Sequence, residues 1–285
     1  MNTCEVVTER IIKILESGTI PWRKPWSETG TLGTHQNLIS QHAYRGINAI
    51  LTASMGFSTP YWLTYKQALE HGGVVKAGEK GCPIVYWAFG TDEKADGTER
   101  KWAFCKYSTV FNLDQVDGLD SIKLIAAKRK AQRIEFKPIE QCEAVVKGYP
   151  IAIHHREQRA YYRPDHNYVN MPKPESFNSV ENYYATLFHE LGHSTGHESL
   201  LNRFKGEKQF HFGSHDYSKE ELIAEMTSAF LCSKTGIDGM TVSQSAAYIQ
   251  SWIKVLKGDP KLVLSAASQA QKAFDLILGV KVQEA

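Results

Sequence analysis

The stretch Leu187-Phe188-His189-Glu190-Leu191-Gly192-His193 constrains this chain more than any other, because it sets His-Glu-x-x-His inside an apolar helical pattern. Four residues make a little over one helical turn. Both imidazoles therefore leave one face and can share a single ion, with Glu190 beside them. The pentapeptide also arises by chance in helices whose histidines are only solvated or packed. Here Ala185, Leu187, Phe188 and Leu191 surround it with apolar residues, and further ligand candidates follow downstream. The donor set predicts one Zn2+ per chain on His189 and His193, with Glu190 as the catalytic general base.

A catalytic zinc needs a third protein ligand and an open position. His197 is a weak candidate, because the three-histidine pattern requires its last histidine two residues further on, where Ser199 stands. Glu221 and Glu225 lie one turn apart in Glu221-Leu222-Ile223-Ala224-Glu225. Gluzincin-type sites use such a pair, the first carboxylate on the metal and the second orienting a ligating histidine from behind. The expectation is Glu221 as ligand and Glu225 as the orienting acid. The competing reading makes Ser218-Lys219-Glu220-Glu221 a capping box, which would leave the metal to Glu225. His211, His215 and Tyr217 are candidate donors to a developing oxyanion, each equally readable as a surface residue. Residues 159–171 read as an extended segment, either an edge strand for an extended peptide or a plain core strand.

The first part of the chain has another character. Ile20-Pro21-Trp22-Arg23-Lys24-Pro25-Trp26, Tyr44-Arg45-Gly46-Ile47-Asn48 and Tyr61-Trp62-Leu63-Thr64-Tyr65-Lys66-Gln67 interleave aromatics with cations and amides. Single-stranded nucleic acid is bound by such sets, since bases stack on rings while cations follow the phosphates. Trp22, Arg23, Lys24, Trp26, Arg45 and Lys66 are the DNA-binding candidates, against the alternative that the tryptophans are core. Charge alone does not decide. Residues 1–137 hold 18 Lys and Arg against 14 Asp and Glu and the remainder 15 against 17, an asymmetry that a solvated surface also carries.

Periodicity predicts helices over 3–17, 63–71, 181–195, 218–234 and 241–257, and a last one capped by Asp259. A β-hairpin is expected from 84–89 and 102–110. The lysine- and arginine-rich run 121–138 reads as a solvated connector. The expected class is α+β: an N-terminal α+β domain over 1–125, a linker over 126–150, and a mainly helical domain with a small sheet over 151–285. No apolar run approaches the length of a membrane span, and the start lacks a secretory pattern. Five scattered cysteines without a Cys-x-x-Cys pair suit a reducing setting. A cytoplasmic protein without a membrane partner is expected.

These residues resemble the ArdC-type antirestriction proteins of conjugative plasmids, which are similar to the N-terminal part of TraC-type plasmid primases. The resemblance rests on Ile20-Pro21-Trp22 with Trp26, Tyr44-Arg45-Gly46-Ile47-Asn48, Gly78-Glu79-Lys80-Gly81 and Phe111-Asn112-Leu113-Asp114-Gln115. It continues through His189-Glu190-Leu191-Gly192-His193-Ser194-Thr195-Gly196-His197 and Glu220-Glu221-Leu222-Ile223-Ala224-Glu225. It implies an N-terminal single-stranded-DNA-binding domain followed by a zincin-like metallopeptidase domain, protecting plasmid DNA that enters a host as a single strand. The implied partner is single-stranded DNA, and the leading reading adds an unknown host protein as peptidase substrate. No primase segment is seen after the zincin part, so priming is not expected. The alternative is a strand-coating protein whose metal site is structural or vestigial. A metal-dependent nuclease is a third reading, disfavoured because such enzymes gather carboxylates around two ions.

Overall fold

The computed structural model describes residues 2–22, 35–93, 99–119, 138–204, 214–237 and 246–280. The chain divides into two compact units, Met1–Ile11 with Thr34–Gln132 and Ile12–Gly33 with Arg133–Ala285. The fold is α+β, a sheet-bearing first unit and a mainly helical second unit with a small sheet.

The chain opens on α1 (Thr3–Glu16), whose apolar positions Val7, Ile11, Ile12 and Leu15 are buried. In the first unit β1 (Gln36–Asn37), β2 (Tyr61–Thr64), β4 (Cys82–Glu93) and β5 (Glu99–Asn112) form one sheet in the order β1-β2-β5-β4. The first pair is parallel and the others antiparallel. The helices α2 (Ile47–Ala53) and α3 (Tyr65–Glu70) accompany it, and β3 (Val74–Val75) pairs with β6 (Val116–Asp117). The expected hairpin is present and extends beyond 84–89 and 102–110 at both ends. The helix expected from residue 63 starts later. Thr64 ends the strand, its hydroxyl accepting from the Gln67 amide at 3.1 Å while Gln67 Oε1 accepts from the Thr64 amide at 2.9 Å. That reciprocal cap fixes where the strand stops and α3 begins. Leu38, Tyr61, Leu63, Ala68, Leu113, Val116 and Leu119 form the core beneath.

In the second unit α4 (Pro138–Gly148) packs Cys142 and Val145 into the core, so the connector expected over 126–150 is a packed helix from residue 138 onward. The basic run that precedes it lies outside the described residues. The strands β7 (Ala152–His154), β8 (Tyr161–Arg163) and β9 (Tyr168–Asn170) form a sheet in the order β7-β9-β8. Within residues 159–171 the chain therefore makes two strands, and β8 lies at the sheet edge. Among the described residues the helices α5 (Val180–Ser194), α6 (His215–Thr235), α7 (Ala246–Gly258) and α8 (Leu262–Ile277) follow. Helix α8 starts at Leu262 because Asp259 Oδ1 accepts the Lys261 amide in the turn ahead of it, instead of capping the helix itself. Phe188, Leu191, Tyr184 and Leu187 of α5 meet Leu231 and Cys232 of α6 and Val169 of β9 in the core. Among the described residues no helix is long and apolar enough to cross a membrane.

Candidate metal centre

The Ser179 hydroxyl accepts from the Asn182 amide at 3.2 Å, starting α5 so that His189 and His193 fall in its last turns. Helix α6 is started by Ser214, whose hydroxyl accepts from the Tyr217 amide at 3.1 Å. This settles one expectation. Ser218 is not the cap, since its hydroxyl bonds to the Ser214 carbonyl at 3.1 Å within the first turn. Glu221 is thereby free of capping duty and lies on the face turned to α5.

The two helices cross closely because Gly192 has no side chain. A Cβ there would stand 3.0 Å from the Ala224 Cα and 3.2 Å from the Thr227 Cβ. The Ser228 hydroxyl donates to the Ala185 carbonyl across the same contact at 2.8 Å. Close approach delivers Glu221 to the histidines. His189 Nε2 and His193 Nε2 are 3.1 Å apart, and the Glu221 carboxylate oxygens lie 3.6 Å from His189 Nε2 and 3.5 Å from His193 Nε2. Ligands about 2.0–2.2 Å from one tetrahedral ion stand roughly 3.3–3.6 Å from one another. Two imidazoles and a carboxylate at these separations fit a single divalent cation, and among the described residues they form the metal-competent cluster. Glu190, on the same helix, is 8% exposed. His197 instead bonds Ser199 through Nδ1 at 2.8 Å.

His193 is held from behind. Its Nδ1 lies 3.3 Å from Glu220 Oε1, and Arg203 grips that carboxylate with two bonds, Nε to Oε2 at 2.9 Å and NH2 to Oε1 at 2.7 Å. Arg203 also donates to the Thr195 hydroxyl at 2.8 Å and to the Gly192 carbonyl at 2.9 Å, which ties the end of α5 to the start of α6. The sequence reading gave the orienting role to Glu225. Glu220 performs it at His193, while Glu225 accepts the Trp22 indole N–H at 2.7 Å. Glu220 was missed because its neighbour carried the expected spacing, and Arg203 because no motif includes it.

Electrostatics follow from this crowding of acids. Burial opposes a charge on His193, but hydrogen bonds that its ring donates to Glu220 and Glu221 overcome it and raise its pKa to about 10 in the metal-free site. Burial would raise Glu221, yet His189 and His193 hold it well below the usual carboxylate range. Glu220 is likewise lowered, its desolvation outweighed by Arg203 and His193. The site thus demands positive charge. Tyr217 is pushed up to about 12 by burial and by Glu221, so it keeps its proton. His215 is exposed and lies 3.2 Å from Asp259 Oδ2, and His211 is outside the described residues.

The nucleic-acid candidates fare unequally. Trp22 is 0% exposed, edge-on to Trp252 with ring centroids 5.9 Å apart, inside the second unit. With its ring enclosed and its N–H bound to Glu225, it offers no face to a base, so its assignment as a strand-stacking residue is corrected to core. Arg45 and Lys66 are exposed in the first unit, Lys66 lying 3.6 Å from Glu70. Arg23, Lys24 and Trp26 lie outside the described residues.

Comparison with known proteins agrees with this architecture. Residues 1–111 match the N-terminal domain of anti-restriction factor ArdC, and residues 140–269 match a zincin-like metallopeptidase family. A DNA primase TraC of Escherichia coli is 40% identical over 303 residues, which span 98% of this chain and 27% of that protein. A second TraC primase is 38% identical, with 20% of its length covered, so the chain spans only about a quarter and a fifth of these two relatives. The uncharacterized protein y4eC of Sinorhizobium fredii is 33% identical over 95% of this chain and 90% of its own length. Crystal structures of the antirestriction ArdC protein from plasmid R388, one metal-free and one Mn(II)-bound, superpose with a TM-score of 0.76 at 38% identity over 98% of both chains. A sheet-bearing first unit, a zincin-like second unit and similarity along almost the full length of a solved ArdC place this chain in the ArdC antirestriction family.

Proposed function

We propose that this ArdC-family protein binds single-stranded DNA and acts as a zinc-dependent peptidase, protecting plasmid DNA as it enters a host cell. The observation that carries the peptidase reading is the convergence of His189, His193 and Glu221 within 3.1–3.6 Å of one another beside a buried Glu190. Two imidazoles and one carboxylate suit zinc, and the domain is zincin-like. A bound zinc supplies Lewis acidity, polarising a peptide carbonyl and bringing the pKa of water down to about 7. Glu190 accepts the proton of the attacking water and passes it to the leaving amine. Tyr217, protonated and beside Glu221, donates to the carbonyl oxygen as charge develops there. Strand β8 lies at the edge of its sheet and supports the pairing of an extended peptide by strand addition. The substrate is a host protein.

Similarity to proteins named DNA primase supports the DNA-binding half, with exposed Arg45 and Lys66 as candidates among the described residues, beside Arg23, Lys24 and Trp26. The decisive variant for the peptidase half is Glu190→Gln, which keeps size and polarity but cannot take a proton. It should hold one zinc per chain with wild-type affinity while hydrolysis of a casein or peptide-library substrate falls by about 100-fold or more. Equal hydrolysis by this variant and wild type contradicts the reading.

A further inference from the structure

The first unit carries an arm that the sequence motifs did not single out. Strands β4 and β5 run antiparallel for twelve paired positions, from Cys82 opposite Val110 to Glu93 opposite Glu99. Strand β4 is the edge of the four-stranded sheet. Among the described side chains of this hairpin, large aromatics stand exposed: Tyr86 at 46%, Trp87 at 56%, Phe104 at 42% and Tyr107 at 47%. Side chains on a strand alternate between faces, so the register sorts them. Trp87 pairs with Cys105 and Val85 with Tyr107, which puts Trp87 and Tyr107 on one face as diagonal neighbours. Tyr86 pairs with Lys106 and Ala88 with Phe104, which puts the other two on the opposite face with the lysine. The Lys106 ammonium lies 4.6 Å from the Phe104 ring centroid.

Rings of this size are normally buried, and aromatic area left in water marks a binding surface. The charge pattern says for what. From Cys82 to Gly90 and from Ala103 to Asn112 there is no Asp or Glu, and the single charge is Lys106. Asp92, Glu93 and Glu99 lie further along the strands with Arg100 and Lys101, and the ring-bearing part of the hairpin, with its one cation, suits a polyanion whose flat bases can stack. Diagonal positions stand about 7–8 Å apart, twice the roughly 3.4 Å rise between stacked bases, so one base fits between the two rings.

We infer that the exposed faces of the β4–β5 hairpin are a stacking surface for single-stranded nucleic acid, with Trp87 and Tyr107 clamping a base and Lys106 serving the phosphates beside Tyr86 and Phe104. This rests on the strand-binding half of the proposed function and moves its aromatic contacts from the buried Trp22 to the hairpin.

The test uses the full chain, a labelled oligothymidylate of about 15 nucleotides, and the variants Trp87→Ala, Tyr107→Ala and Trp87→Phe. Both alanine variants replace exposed side chains and should melt as wild type does. Each should lower strand affinity by roughly tenfold at every salt concentration, and Trp87→Phe should retain most of it. If wild type binds the strand and the alanine variants bind equally well, the hairpin assignment fails while the strand-binding reading stands. If wild type does not bind, both fall. If the variants keep their strand affinity but lose self-association, the face joins two copies of the chain through β4, and the assignment is overturned.

Discussion

His193 faces carboxylates on two sides, Glu221 toward the shared ligand position and Glu220 at its far nitrogen. Arg203 makes the second of these a fixed device. With side chains only 7% exposed, Arg203 and Glu220 form a fork-to-fork pair that holds a carboxylate oxygen 3.3 Å from His193 Nδ1, while Nε2 faces His189 and Glu221. Glu220→Gln should therefore weaken zinc affinity by about 10 to 100-fold, as losses of such supporting bonds generally do, and Glu221→Gln by more. Zinc titration of both variants checks the order; a larger loss in Glu225→Gln would return the ligand to Glu225. The raised pKa of His193 fixes a pH dependence as well. Zinc must displace that proton, so apparent affinity should climb with pH, by about tenfold per unit for one proton released, and level off near pH 10. In the metal-free protein the same shift has the opposite consequence. A pKa raised on folding stabilises fully below the ordinary histidine value near 6.5 and is lost as pH rises through about 10. Affinity that is flat from pH 6 to 8 would contradict the displacement of a proton from His193.

Helix packing explains why the motif residues between the ligands are as they are. In His189-Glu190-Leu191-Gly192-His193, Leu191 fills the core and Gly192 lets α6 approach to backbone contact. Gly192→Ala places a methyl 3.0 Å from the Ala224 Cα and must part the helices by a few tenths of an ångström. It should loosen Glu221 on the metal and lower zinc affinity while the fold persists, readable by titration alongside circular dichroism. Unchanged affinity would mean that the crossing distance does not set the ligand geometry. At this scale the sequence was informative where one residue's chemistry sufficed. The histidine pair with Glu190 and the pair of acids one turn apart followed from helical spacing, the preference for Glu221 from the gluzincin pattern, and the structure brings His189, His193 and Glu221 within 3.1–3.6 Å of one another. Glu220 escaped because its role depends on Arg203, seventeen residues earlier and brought close by tertiary packing. Trp22 was misread because a tryptophan between prolines and cations looks the same whether its ring meets a base or Glu225, and burial alone separates the two.

Across the whole chain, the α+β class, the long hairpin and the helical second half were legible because each rests on local periodicity. The division of the chain was less so. Residues 12–33 join the second compact unit, and α4 forms within the segment read as a connector, since neither contact pattern is encoded in composition. The zincin-like domain and the ArdC-type first unit lie on one polypeptide. The proposed function stands or falls on whether the proposed peptidase site is needed for protection. The direct measurement is conjugative transfer into a restricting recipient of plasmids encoding wild type or Glu190→Gln, with protein level, zinc content and strand affinity matched. The variant plasmid should transfer poorly into the restricting recipient and normally into a non-restricting one; equal transfer of both plasmids into the restricting recipient would contradict the proposed function.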